Sequence, residues 1–340
     1  MCLKDMHLPA PALSTPLRIG NIEIRNRVAL APMSGVTDLP FRTFAWRFGA
    51  GFVVTEMVAS RELVANRGES WARLKNAGMV PHMVQLAGRE AHFMAEAAKI
   101  AADNGAGIID INMGCPAKKV TGGYSGSALM RDPDHALSLI EATVNAVDVP
   151  VTLKMRLGWD ENTINAPEIA RRAEAAGVQL ITIHGRTRMQ FYEGRADWNA
   201  IRAVREVISV PLIANGDVET ADDAREILRR SGADAVMVGR GAQGQPWLPA
   251  VLAGHSAPQR NDIPAIAVEH YEMMLEFYGR EAGLRHARKH LGWYLDRSAP
   301  DIATPEKAQI MTSRDTGEVA DLLRSALSEN TGEEAARKAA

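Results

Sequence analysis

Cysteine is nearly absent: two residues, Cys2 and Cys115, in a chain of 340. Two thiols cannot staple a small secreted fold, so a disulfide framework is excluded and a reducing compartment is expected. No window approaches 18 consecutive apolar residues, which excludes a membrane-spanning helix. The first fifteen residues hold Lys4 and Asp5 but no apolar core, so no secretory signal is read there. These absences together place the protein in the cytoplasm. Charge of one sign is also lacking. Lys and Arg number 39 against 41 Asp and Glu, a net charge of −2, so the chain as a whole is not a polybasic nucleic-acid coat. A local basic surface is still compatible with that balance.

What is present is a rhythm. Hydrophobic residues make up 46% of the chain. Between Val28 and Gly239 eight short apolar runs alternate with stretches of helical spacing. The runs are 28–31, 52–55, 82–85, 108–111, 151–154, 180–183, 211–214 and 235–238. Such runs read as buried parallel strands. Asp132 before Pro133, and Thr220 before three acids, are helix-start signals, while Gly105, Gly177 and Gly232 are stops. Eight strand–helix units in this length predict a closed (β/α)8 TIM barrel. Before the first run, Leu17–Ile24 alternates around Gly20-Asn21, predicting a hairpin that plugs the N-terminal end of the barrel.

The rhythm stops near Gly254. A Pro-, Ser- and Asn-containing linker follows, and then apolar residues recur only at helical spacing: Val268, Tyr271, Leu275 and Tyr278, then Leu284, Ala287, Leu291, Tyr294 and Leu295. The expected organisation is a barrel domain over 1–254, a small all-helical domain over 255–328 and a flexible polar tail over 329–340. Between Arg280 and Arg297 lie five basic residues against two acids. Arg285, Arg288 and Lys289 share one helical face, opposite the leucines. That face reads either as a nucleic-acid contact or as an ordinary solvated surface.

In such barrels the chemistry sits where the strands end at their C-termini. Here the runs lead into Pro32-Met33, Glu56, Gln85, Asn112, Lys154, His184, Asn215-Gly216-Asp217 and Gly239-Arg240-Gly241. The last two loops have the small residues and the charge of a phosphate site. Gly239–Gly244 also matches G-x-G-x-x-G, but it follows the eighth strand instead of opening a first βαβ unit. It is therefore read as the final phosphate loop of a barrel. Lys154 on a buried strand needs an anion, supplied either by a ligand or by a carboxylate such as Glu56. Cys115 lies in a loop on the same face. The following Gly-rich stretch would suit a lid, and a thiol that is protonated at neutral pH could donate a proton. No metal-ligand spacing is present on the barrel. His286 and His290 are four apart but lack the partners of a zinc helix.

These same residues carry a family resemblance. Ala31–Asp38 (APMSGVTD), Gln85-Leu86, Asp110–Val120 (DINMGCPAKKV), Lys154-Met155-Arg156, Ile183–Thr187 (IHGRT), Asn215-Gly216-Asp217 and Gly239-Arg240-Gly241 resemble the bacterial tRNA-dihydrouridine synthases. The long cysteine motif and Arg288–Tyr294 (RKHLGWY) are most similar to the B-type subgroup. The likeness spans residues 14 to 325. It implies an FMN-bearing barrel, a tRNA-binding helical domain, and NADPH or NADH as transient reductant, with no metal and no obligate protein partner. Carried over by motif, Ala31, Pro32, Met33, Gln85, Lys154, His184, Asn215, Gly216, Asp217, Gly239 and Arg240 would contact FMN. Asn112, Lys154 and Arg186 would lie near the uracil. Lys118, Lys119, Arg285, Arg288 and Lys289 would meet tRNA. Cys115 would be the general acid, giving a proton to C5 of the uracil while reduced FMN gives hydride from N5 to C6. Two other readings share the scaffold. One is a flavin barrel acting on a free pyrimidine or other small molecule; the other is a non-catalytic regulatory or RNA-binding protein that retains the fold.

Overall fold

The computed structural model describes residues 12–339; the side chains of Lys119 and of 329–339 are outside that description. Residues 1–11, including Cys2, and residue 340 also lie outside it. The chain begins with the antiparallel hairpin β1 (Leu17–Ile19) and β2 (Ile22–Ile24). Gly20 at its turn has φ +57°, a value that favours glycine.

Nine parallel strand segments follow: β3 (Val28–Leu30), β4 (Phe52–Val53), β5 (Val58–Ala59), β6 (Met83–Ala87), β7 (Ile108–Met113), β8 (Val151–Arg156), β9 (Ile181–His184), β10 (Leu212–Asn215) and β11 (Ala235–Val238). They form one sheet in the order β4-β3-β11-β10-β9-β8-β7-β6-β5. Of the two ends of that order, β4 falls in the second expected run, 52–55, and β5 lies just beyond it. Val54 bridges Met83 in parallel, and the Thr55 N–H reaches the Met83 carbonyl at 3.1 Å. The sheet therefore closes on itself, and the eight expected runs become eight staves, the second of them broken.

The staves alternate in chemistry with the period of a strand. Val84 and Leu86, Ile109 and Ile111, Leu153 and Met155, Ile181 and Ile183 join the apolar layer under the outer helices. The other set points inward. At its lower level Phe52, Met83, Ile108, Ile213, Ala235 and Met237 form a separate apolar cluster with Leu17, Ile19 and Ile24 of the hairpin. The plug is therefore as expected. At the upper level the inward positions turn polar, which is what opens a site there.

The helices are α1 (Leu39–Phe48), α2 (Ser60–Val64), α3 (Gly68–Leu74), α4 (Ala91–Asp103), α5 (Lys118–Thr121), α6 (Pro133–Val144), α7 (Ala166–Ala175), α8 (Trp198–Arg205), α9 (Ala221–Ser231), α10 (Leu248–Leu252), α11 (Ile263–Tyr278), α12 (Arg280–Ser298), α13 (Thr304–Thr312) and α14 (Thr316–Ala339). The start signals act as expected. The Asp132 side chain accepts from His135 N–H, and Thr220 forms a reciprocal capping box with Asp223. From α11 onward a third core forms. The nine apolar residues read there at helical spacing all contribute, with Trp247 and Phe48 of the barrel inserted among them. The backbone of α14 continues through 329–339, the stretch read from the sequence as a tail.

Candidate active site

A cavity of about 430 Å³ opens at the C-terminal ends of the strands. Its floor comes from register. Gln85 is level with Asp110, Asn112 with Lys154, Arg156 with His184, and Asn215 with His184 on its other side. Each is an inward position near the end of its strand, so one polar ring forms from five different strands.

A chain of hydrogen bonds fixes that ring. Asp110, fully enclosed beneath it, accepts from Thr152 Oγ1 at 2.6 Å and from Gln85 Nε2 at 2.7 Å. Gln85 Oε1 then accepts from Asn112 Nδ2 at 2.7 Å. Asn112 Oδ1 accepts from the N–H groups of Gly114 (3.2 Å) and Cys115 (3.0 Å). The orientation of both amides, and the position of the cysteine loop, thus follow from one buried carboxylate. The loop is held on its other side by Ser127, whose Oγ and N–H both donate to the Cys115 carbonyl.

Cys115 is half-buried and lines the cavity. Desolvation raises its thiol above the ordinary value, against the opposing pull of the Ala117 N–H, Arg156 and Lys154. The group is a protonated thiol at neutral pH. Lys154 sits deep in the mouth. Desolvation, then repulsion from Arg156, lowers its ammonium to about 8, despite Asp110 and Cys115 nearby. Its Nζ donates to Asn215 Oδ1 at 3.1 Å. Glu56, the alternative partner considered from sequence, is engaged elsewhere and accepts from Gly35 N–H at 2.5 Å. A desolvated cation with a neutral amide as its hydrogen-bond partner is a place for an anion or an electron-rich ring.

His184 is held neutral by desolvation and by the cations Arg156, Lys154, Arg186 and Arg240. Its Nε2 lies 3.3 Å from Arg186 Nη1, a group that can only donate. Nε2 is therefore the acceptor, and the proton sits on Nδ1. Arg186 also lines the cavity, but its guanidinium is a brace: it donates to Glu193 O, Gly194 O and Asp217 Oδ2. Burial would raise the Asp217 carboxyl, but hydrogen bonds from Arg186 and the Ala196 N–H outweigh it and hold the group below its ordinary value.

Asp217 and Gly216 have φ of +55° and +123°. A Cβ on Gly216 would lie 2.7 Å from the Ala196 Cβ and 3.1 Å from the His184 ring. The neighbouring loop, after β11, supplies Gly239, where a Cβ would meet Met33 and Ala31 of the adjacent β3 stave at 3.7 and 3.8 Å. Arg240, half-exposed, touches Asp217 at 3.2 Å.

Of the residues expected around a flavin, all but Gly216 line this one cavity. So do Asn112 and Cys115. Gly216 stands just behind, where it permits the close approach of His184. The residues expected to meet tRNA are dispersed. Lys118 is exposed on α5, and the side chain of Lys119 lies outside the described residues. Arg285 is exposed on α12. Lys289, on the same helix, reaches the barrel: its Nζ would be 3.7 Å from a Cβ on Gly35. Arg288 turns inward, with Nη2 3.3 Å from Thr312 O and 3.4 Å from Ser313 O at the end of α13. Among the described residues no cluster suited to a metal ion occurs, and no helix is long and apolar enough to cross a membrane.

Sequence reasoning quoted Arg156 within a motif but gave it no role, and it passed over Phe191 and Tyr192. Arg156 is buried and donates to the carbonyls of Gly114, Thr187 and Phe191. Tyr192 lies between two cations, Arg156 at 5.4 Å and Arg240 at 5.2 Å from its ring. Arg156 follows Lys154 by two residues and so shares its face, a signal that period-two reasoning could have used. The two aromatics sit in the loop after β9, where no periodicity marks them.

Three comparisons bear on identity. The chain matches the family described as dihydrouridine synthase (Dus) over residues 29–331. It is 79% identical over 306 residues to a "Probable tRNA-dihydrouridine synthase" of Rhizobium leguminosarum bv. phaseoli, covering 90% of this chain and 96% of that one. It is 58% identical to a protein of the same description from Rhodobacter capsulatus, covering 92% and 98%. It is 46% identical to "tRNA-dihydrouridine synthase B" of Pseudomonas putida, covering 82% and 85%. Among solved structures the barrel resembles TcOYE with pHBA, at a TM-score of 0.55 and 15% identity over 74% of this chain and 96% of that one. It also resembles morphinone reductase, at 0.51 and 16% over 74% and 92%. Those two likenesses concern the fold alone. From the family match and the high identities, this chain belongs to the dihydrouridine synthase family.

Proposed function

We propose that this protein reduces uridines in tRNA to 5,6-dihydrouridine, with FMN as its prosthetic group and NADPH or NADH as reductant. The observation that carries the reading is the meeting of two kinds of group in one cavity: a cationic, flavin-suited floor and a protonated thiol on a neighbouring loop. The floor fits an FMN. Lys154 lacks an anionic hydrogen-bond partner, Gly239 presents bare backbone to the cavity, and Arg240 stands beside it for a phosphate. Bound there, FMN supplies the hydride that a saturating uracil needs at C6.

The chain's own residues do the rest. Lys154 would stabilise negative charge on a flavin ring held in this cavity. Gln85 and Asn112, their amides oriented through Asp110, offer hydrogen bonds of fixed polarity at the mouth. Cys115 holds a proton at Sγ for C5. A proton delivered by a positioned group is worth about 10²–10⁴ in rate. A uracil stacked in folded RNA must first be extruded, at a cost of a few kcal/mol. Lys289 on α12, whose Nζ approaches the Gly35 loop at the mouth, would offset part of that cost by phosphate contact, with Arg285 exposed on the same helix.

The test separates the half-reactions. Cys115→Ala is expected to bind FMN and be reduced by NADPH at near wild-type rates. Its reduced form should transfer hydride to a tRNA transcript about 10²–10⁴-fold more slowly. An equal loss in both half-reactions contradicts the assignment. Comparable turnover of free uridine and tRNA contradicts the choice of substrate.

A further inference from the structure

The proposed reaction requires two reactants to reach one flavin in turn. A dinucleotide is too long to lie wholly within the cavity beside that flavin, so its adenosine half must rest outside. A second cavity, about 350 Å³, adjoins the first. It is lined by Glu219, Arg240, Gln243, Trp293, Asp296 and Arg297. Glu219, Arg240 and Gln243 line both, so the two spaces share a wall.

The cleft is built by both layers of the molecule. Arg297 on α12 donates from Nε to Gln243 O at 2.6 Å and from Nη2 to Gly241 O at 3.2 Å. Gly244, with φ +72°, lets the loop approach the helix so closely that a Cβ there would lie 2.4 Å from the Trp293 carbonyl. Trp293 is half-buried, with its ring edge-on to His290 at 5.1 Å. Asp296 pairs with Lys307, and Glu219 stands exposed at the rim.

The chemistry of this lining is mixed in a specific way. An indole offers a stacking face to a purine. Carboxylates accept from the vicinal hydroxyls of a ribose, as in dinucleotide folds. The half-exposed guanidinium of Arg240 stands on the shared wall, where a pyrophosphate would cross. Two acids are a poor lining for an RNA backbone. We propose that this cleft holds the adenosine half of the reduced nicotinamide dinucleotide, so that the dihydronicotinamide enters the first cavity past Arg240. The proposal rests on the flavin-reductase half of the function given above.

The experiment follows flavin reduction in the holoenzyme by stopped flow, without tRNA. It uses NADPH, NADH and dihydronicotinamide mononucleotide, which lacks the adenosine. Trp293→Leu should raise the half-saturating concentration of the dinucleotides about tenfold, the value of one stacked base, with the limiting rate little changed. Reduction by the mononucleotide should be unaffected. Glu219→Gln, at an exposed position that does not threaten folding, should raise the same constant more modestly and again spare the mononucleotide. Oxidation of prereduced Trp293→Leu by tRNA should match the wild type. Equal effects on mononucleotide and dinucleotides, no effect of either substitution, or an effect confined to the tRNA half-reaction would each overturn the proposal; the last would make the cleft an RNA contact. A wild-type holoenzyme reduced by neither nicotinamide form would overturn the functional reading itself, before any variant is compared.

Discussion

Lys154 keeps its charge with a neutral amide as partner and Arg156 as neighbour, and its ammonium is lowered to about 8. Below that pH the free protein presents a cation to an incoming flavin. Above it, binding must first restore the proton. FMN affinity should therefore fall as pH rises past about 8, by up to about tenfold per unit, and Lys154→Met should be weaker but flat over the same range. Flavin fluorescence quenching from pH 7 to 10 reads both. Asp110 makes a second prediction at this scale. Asp110→Asn keeps both hydrogen bonds, because the Thr152 hydroxyl can turn to accept. Asp110→Ala leaves buried donors of Thr152 and Gln85 unpaired and should cost about 2–4 kcal/mol. It should also loosen the loop held through Asn112, so that Cys115 is alkylated faster; melting curves and thiol-labelling rates check the pair. The sequence showed which polar residues end the strands, because each breaks an apolar run. It did not show the relay, because Asp110 sits inside such a run and its partners lie on two other strands. The role of Arg156 escaped for a related reason: the run was read as ending at Lys154 and as uniformly buried, which hid the alternation that puts a second cation on the Lys154 face.

Elements end where their chemistry dictates, and most of those ends were legible. Asp132 and Thr220 cap, Gly232 stops its helix at φ +69°, and the Gly20 turn closes the hairpin, each from local physics alone. The second strand was not legible as it stands. Residues 54–57 leave regular pairing between β4 and β5, and Glu56 turns its carboxylate to Gly35 N–H, a contact between two loops that no local pattern announces. The turn after β10 is the element on which the flavin-suited floor most depends. Gly216 combines φ +123° with a Cβ direction already filled by Ala196 and His184. Gly216→Ala should therefore cost about 1–3 kcal/mol of stability through backbone strain alone. It should also displace the His184 ring and Asp217 together, weakening FMN binding more than tenfold. Isothermal titration with FMN, set beside thermal unfolding, tests whether the two losses coincide. A variant that is destabilised yet binds normally would show that the loop can shift without moving the floor.

At the scale of the whole molecule, the helical layer reaches the barrel through α1. Asp38 caps that helix by accepting from Phe41 N–H at 3.0 Å, and it also accepts from Tyr278 Oη of α11 at 3.0 Å. Phe41 packs against His270 and His290 at ring distances of 5.6 and 5.5 Å. Desolvation at this junction raises the Asp38 carboxyl to about 6, with Glu56 adding to the rise and Lys289 and the two hydrogen bonds opposing it. Arg42, whose own charge is disfavoured by burial, stands in the same group. In the unfolded chain an aspartate titrates near 4. Between about 4 and 6 the folded protein thus holds a proton that the unfolded one has lost. By linkage, stability falls as pH rises through that window, by about 2–3 kcal/mol in all, and the loss persists above it. Asp38→Asn retains the cap, since asparagine is an equally good one, and its amide can donate to Tyr278. It cannot ionise. Wild type and variant should therefore be about equally stable near pH 4 and diverge toward pH 7, the variant becoming the more stable. His270 and His290, both held neutral by burial, weaken the fold on the acid side in both proteins and cancel in the difference. Urea unfolding of the pair at half-unit intervals of pH measures that difference directly. Parallel curves would mean that Asp38 is solvated, and hence that the helical layer does not seat on α1 in the way that brings Lys289 to the mouth.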